Sequence, residues 1–194
     1  MTRIIGGQAR GRRLAVPGSG TRPTSDRVRE AMFASIESRL SARGRSWEDI
    51  AVCDLWAGSG AVALEAWSRG AHRVVAIDKA KPAADAISSN ISELGADKVR
   101  CMRADVRASV TSAPPSGPFD VVFADPPYEY ATELLRGDLA SAIASGWFGP
   151  DALVIIERSV RSPSPFPEDV AEVQQRAYGD SALWYGRIVG RPED

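Results

Sequence analysis

The sequence predicts an α/β fold on a mostly parallel sheet, and three observations carry that expectation. From position 50 onward, short apolar runs alternate with amphipathic stretches, as strands and their covering helices do. A glycine-containing turn, Asp54-Leu55-Trp56-Ala57-Gly58-Ser59-Gly60, follows the first of these runs, where open α/β sheets bind ligands. The chain then finishes on two stretches, 170–177 and 182–189, around Tyr178-Gly179-Asp180-Ser181, which read as an antiparallel hairpin.

In chain order, Arg3-Ile4-Ile5-Gly6-Gly7 and Arg10 to Val16 read as two short strands around a glycine turn. After Pro17-Gly18 comes a loop. Thr24 or Ser25 then caps a helix with Val28, Met32, Phe33 and Ile36 on one face, fading near Ser41. Strands are expected near 50–54, 73–77, 98–102, 119–124 and 152–157, and helices at 60–69, 80–94 and 131–145. Pro/Ser-rich stretches at 111–118 and 162–167 are loops. Seven strands ending in an antiparallel hairpin match the Rossmann-like class I sheet of methyltransferases that use S-adenosylmethionine (SAM) better than a plain dinucleotide fold. The expected organisation is an arginine-rich extension over 1–45 and a SAM-dependent methyltransferase domain over 46–194.

Near-neutral total charge hides an asymmetry. Residues 1–45 hold ten arginines and no lysine against Asp26, Glu30 and Glu37, a local charge of +7 that leaves −8 for the remainder. Guanidinium forks match phosphate oxygens bidentately, so a polyanionic partner is expected, with Arg10, Arg12, Arg13, Arg22 and Arg27 as candidate phosphate contacts. No apolar run approaches the roughly 18 residues of a membrane span, and the start lacks the apolar core of a signal peptide. The expectation is a cytoplasmic protein without membrane association. Cys53 and Cys101 read as reduced core residues, and His72 as a loop or core residue.

Asp54 ends the first strand, and in the pattern Asp-x-x-x-Gly-x-Gly an acid can hold an ammonium group but would repel a pyrophosphate. Asp78, at the tip of the second strand, can accept two ribose hydroxyls. After the third strand, Asp105 meets an adenine amino group while the Val106 N–H serves a ring nitrogen. These three carboxylates in series are what SAM requires. Candidate cofactor-binding residues are therefore Asp54, Ala57, Gly58, Gly60, Asp78, Asp105, Val106 and Asp125. The decisive run is Phe119 to Tyr128, a buried strand ending in Asp125-Pro126-Pro127-Tyr128. Prolines stiffen the loop and donate nothing, leaving the Asp125 carboxylate and the Pro126 carbonyl as two acceptors suited to an NH₂ group. Tyr128 would stack on the base, worth roughly 1–3 kcal/mol. Asp125, Pro126 and Tyr128 are thus the candidate catalytic residues for methylating an exocyclic amine on an extruded nucleobase. SAM arrives activated, so no metal is expected.

With these residues in hand, the sequence closely resembles the RsmD family of 16S rRNA (guanine-N2)-methyltransferases. The resemblance rests on Arg3 to Gly7 with Arg10-Gly11-Arg12, Arg22-Pro23-Thr24-Ser25-Asp26-Arg27-Val28-Arg29-Glu30-Ala31, Asp54 to Gly60 with Leu64-Glu65-Ala66, and Asp125 to Tyr128. It implies transfer of one methyl from SAM to the N2 amine of a guanine in 16S rRNA, on the small ribosomal subunit or an assembly intermediate, with Arg10, Arg12, Arg13, Arg22 and Arg27 as candidate RNA contacts; separately, a monomer is expected. It also implies S-adenosylhomocysteine as product and a region around Arg22-Pro23-Thr24 that folds over the cofactor, which adds Thr24 and, next to Asp78, Lys79 to the candidate cofactor-binding residues. Trp56 stands where Phe is expected, and Lys79-Ala80-Lys81 follows Asp78 as a second departure. A DNA adenine-N6 or cytosine-N4 methyltransferase would use the same loop, but such enzymes usually carry a separate target-recognition domain, and only about a helix separates the fourth and fifth strands here.

Overall fold

The computed structural model describes residues 2–18 and 25–189, so the expected contacts of Arg22 and Thr24 lie outside the described residues. The chain forms two compact units, Met1–Ala104 and Asp105–Asp194. Thr2–Arg3 (β1) pairs antiparallel with Arg13–Leu14 (β2). Each strand is only two residues long, shorter than the expected runs. The rest of the hairpin closes through bonds from the Ile4 N–H to the Arg12 carbonyl and from the Gly11 N–H to the Ile4 carbonyl, both 2.9 Å.

The helix α1 (Asp26–Ser41) starts at Ser25, whose hydroxyl accepts the Val28 N–H at 3.3 Å. Val28, Met32, Phe33 and Ile36 are buried along one face, as the spacing predicts. A 3-10 turn, Trp47–Asp49, leads into β3 (Ala51–Leu55), α2 (Ala61–Arg69), β4 (Arg73–Asp78), α3 (Lys81–Leu94) and β5 (Val99–Arg103). β3 is buried at every position, because a strand flanked on both sides and covered on both faces meets no water. Parallel pairing aligns Val52 with Val74 and Val74 with Val99. β5 carries Arg100 and Arg103 outward, and Cys101 is only partly buried; Cys53, on β3, is fully buried.

The second unit adds α4 (Val106–Ser109), β6 (Phe119–Ala124), α5 (Thr132–Ala144), β7 (Phe148–Ser159), β8 (Ala171–Tyr178) and β9 (Ser181–Ile188). β6 and β7 are parallel, while β9 runs antiparallel to both β7 and β8. The seven longer strands form one sheet in the order β5-β4-β3-β6-β7-β9-β8, the class I arrangement expected. β7 begins four residues earlier than expected because its register on β6 shifts between Phe119 and Val121, a bulge that takes in Pro150 and the left-handed Asp151 (φ 61°). Among the described residues, no helix is long and apolar enough to cross a membrane.

The N-terminal hairpin is seated on α2. Glu65, fully buried in the middle of that helix, accepts the Ile5 and Gly6 N–H groups at 2.7 and 2.8 Å, while its charge meets Arg69 Nε at 2.9 Å. Ser68 adds a hydroxyl bond to the Gly6 carbonyl at 2.6 Å, and its own carbonyl accepts the Gln8 N–H at 2.8 Å. Gly7 has φ +75°, and a Cβ there would run into the Ser68 carbonyl. Gly7→Ala should therefore lower stability by about 1–3 kcal/mol, which thermal unfolding reads as a loss of roughly 2–4 °C per kcal/mol for a chain of this size. An unchanged melting temperature would contradict this seating.

Candidate active site

In the first unit, the strand-to-helix turn after β3 is held by backbone geometry that few side chains tolerate. Trp56, Gly58 and Gly60 all have positive φ (58°, 56° and 74°), and strain at a bulky residue such as Trp56 persists only where the surroundings over-determine it. Gly60 is the N-cap of α2 and offers no side-chain acceptor, so Asp54 supplies one from the neighbouring strand: its Oδ2 accepts the Ala63 N–H at 3.0 Å. Asp54 is 1 % exposed, and the positive end of the helix dipole favours its charge there. A carboxylate has about four lone-pair sites, so capping α2 is compatible with holding an ammonium group.

Asp78, at the end of β4, fixes the same turn from the other side. Its Oδ2 accepts the Gly58 N–H at 2.9 Å and its Oδ1 the Ala80 N–H at 2.8 Å, while the Ala57 N–H reaches the Ile77 carbonyl at 3.0 Å. Asp78, Ala57 and Gly58 are thus brought together, with Lys79 exposed beside them. A Cβ on Gly58 would point into open space, room for a ligand to approach the backbone.

In the second unit, Asp105 is the N-cap of α4 and accepts the Ala108 N–H at 3.2 Å. Val106 is the first residue of that helix, where N–H groups have no intrahelical partner. The segment Asp125-Pro126-Pro127-Tyr128 leaves the end of β6 with Asp125 half-buried, Pro126 buried and Tyr128 81 % exposed, an aromatic face open to solvent beside a recessed carboxylate. Arg158, 8 % exposed near the end of β7, pins this loop by donating to the Pro127 carbonyl at 3.4 Å and the Tyr130 carbonyl at 2.6 Å. The Tyr130 N–H returns to the Pro127 carbonyl at 2.8 Å, and its hydroxyl donates to Asp138 at 2.5 Å, which also meets Arg107 at 3.6 Å. Burial and then the Glu157 carboxylate push the Asp125 carboxyl up to about 7, with Arg158 offsetting part of that shift.

The family model described as Conserved hypothetical protein 95 matches residues 2–187, and Ribosomal RNA small subunit methyltransferase D of Escherichia coli (strain K12) is 35 % identical over 164 residues, 84 % of this chain and 77 % of that one. The chain belongs to the RsmD family. The solved structure of the yhhF protein from Escherichia coli matches with a TM-score of 0.82 at 30 % identity, covering 98 % of this chain and 99 % of that one. SMU.776, solved in complex with S-adenosylhomocysteine, matches with a TM-score of 0.59 at 13 % identity over 72 % of this chain and 45 % of that one, and shares the fold alone.

Sequence reasoning missed the supporting residues of this RsmD-family chain. Arg158 had a signal, since the apolar run Leu153 to Ile156 ends abruptly in Glu157-Arg158, two charges where a central strand meets a site. Glu65 stood in the Leu64-Glu65-Ala66 motif without a role, and Asn90 had no signal, because an acid and an amide on amphipathic helices read as solvent-facing. The raised Asp125 carboxyl sets a sign for stability against pH. The folded state binds this proton more tightly than the unfolded chain, so the contribution is complete below the ordinary carboxylate range and is lost as pH rises through about 7. Asp125→Asn should match or exceed the wild-type melting temperature at pH 8, with the gap closing toward pH 4. A gap independent of pH would contradict the raised Asp125 carboxyl.

Proposed function

We propose that the protein transfers a methyl group from SAM to the exocyclic N2 amine of a guanine in 16S rRNA. The observation that carries the reading is a recessed Asp125 carboxylate beside an exposed Tyr128, on a proline loop that Arg158 pins at Pro127 and Tyr130. Membership of the RsmD family and the small-subunit rRNA methyltransferase among its relatives support SAM-dependent rRNA methylation. The choice of guanine N2 rests on the family resemblance carried by the N-terminal motifs.

Asp54 would hold the methionine ammonium, Asp78 the ribose hydroxyls, Asp105 and Val106 the adenine edge, and the backbone from Ala57 to Gly60 the body of the cofactor. The open face of Gly58 and its positive φ suit that close approach. SAM supplies a methyl group already activated on a sulfonium. Asp125 and the Pro126 carbonyl accept both hydrogens of the target amine and turn its lone pair out of conjugation, while Tyr128 stacks on the extruded base. Asp125 accepts hydrogen bonds best as a carboxylate, so activity should rise with pH through about 7. The exposed guanidiniums of Arg10, Arg12, Arg13 and Arg27 contact RNA phosphates.

The direct test is transfer of labelled methyl from SAM to small ribosomal subunits lacking the modification, with duplex DNA in parallel. Label should enter the subunits, and Asp125→Ala should reduce transfer about 10²-fold or more while leaving subunit affinity largely unchanged. Label in the DNA alone would overturn the substrate assignment. Replacing Arg10, Arg12 and Arg13 together should weaken RNA binding and flatten its dependence on salt, because fewer counterions are released. An unaltered salt slope would remove the hairpin from the RNA surface.

A further inference from the structure

The hairpin and the glycine turn share a single buried amide. Asn90 lies on α3 with 1 % of its surface exposed. Its Oδ1 accepts the Ala15 N–H at 2.8 Å and its Nδ2 donates to the Ala15 carbonyl at 2.9 Å, so the side chain pairs with the end of the hairpin as a neighbouring strand would. The second Nδ2 hydrogen goes to the Ser59 carbonyl at 3.2 Å, between Gly58 and Gly60. One helical turn earlier, Ile87 lies against the same turn; a Cβ on Gly60 would meet its Cγ1 at 3.0 Å. The face of α3 carrying Ile87 and Asn90 therefore seats the turn on one side and the hairpin exit on the other. Glu65 and Ser68 hold the hairpin's far end.

We infer that Asn90 is a positioning residue that couples cofactor binding to RNA binding, resting on the proposal that the turn takes SAM and the hairpin takes RNA. A ligand on the turn orders Ser59 and, through the fully bonded amide, Ala15. A ligand on the hairpin orders the same amide from the other end. Whichever binds second finds part of the ordering cost already met, which is positive cooperativity without a change of fold. The effect is reciprocal and of the ordinary size for such coupling, about fivefold or more in affinity.

The test measures the affinity of the full chain for small ribosomal subunits lacking the modification, with and without saturating S-adenosylhomocysteine, in the wild type and in Asn90→Ala. The wild type should bind subunits about fivefold more tightly with S-adenosylhomocysteine present, and Asn90→Ala should reduce that factor to one. S-adenosylhomocysteine alone should also slow amide exchange at Ile4 and Ala15 in the wild type and not in the variant. Ala15→Pro, which removes the N–H that Asn90 accepts at an exposed position and leaves α3 untouched, should give the same loss if Asn90→Ala folds poorly. A purely structural role would weaken each binding separately and leave the factor intact, which would overturn the inference. Wild-type binding of S-adenosylhomocysteine without any coupling would remove the inference and spare the proposed function. No binding of S-adenosylhomocysteine by the wild type would remove both.

Discussion

Asp125 sits where burial and the Glu157 carboxylate both oppose its ionisation, and Arg158 is the cation that offsets them. The guanidinium does this while donating to two carbonyls of the loop that carries the acid, so electrostatics and loop geometry depend on one side chain. Two prolines alone would stiffen the segment without saying where it points. With Arg158 and the return bond from Tyr130, the loop is closed on itself at Pro127, and Tyr130 is tied in turn to Asp138 on α5. A buried cation that loses its partners is costly, so the loop and the end of β7 hold or fail together.

The first unit solves a different problem, how to present arginines without leaving them on a loose tail. The arginines described in this segment divide by what they bond. Arg29 is 1 % exposed and donates to the Arg3 carbonyl and to Asp26, and Arg3 pairs with Asp26, so these two build the structure. Arg10, Arg12, Arg13 and Arg27 remain exposed, with Arg12 steadied by Glu93. Buried acceptors on α2 and α3 replace most of the cross-strand ladder, which is why a hairpin with only two paired residues per strand can be a rigid platform.

Much of the fold was legible in sequence because period and punctuation agree there. β3, β4, β6 and the second half of β7 are built on apolar runs, and β8 and β9 flank a Gly-Asp turn. What escaped has physical reasons. α4 is one turn long, too short to show a period, and the early start of β7 depends on a bulge at Pro150 and Asp151 that reads as a loop. Asp54, Asp78, Asp105 and Asp125 were legible as acids at or near strand ends. Their structural duties were not: Asp54 caps α2, Asp78 fixes the Gly58 turn and Asp105 caps α4. Such bonds depend on tertiary neighbours that no local pattern encodes. Trp56 in the left-handed region is the clearest case, since its strain is set by the turn and not by its own preference.

The most direct measurement of the central claim is a map of methylated nucleotides in 16S rRNA from cells lacking this protein, by primer extension and nucleoside mass spectrometry. One N2-methylguanine should disappear and return when the wild-type chain is restored, but not when Asp125→Ala is. An rRNA that keeps every N2-methylguanine in the deletion strain, or one fully restored by Asp125→Ala, would contradict it.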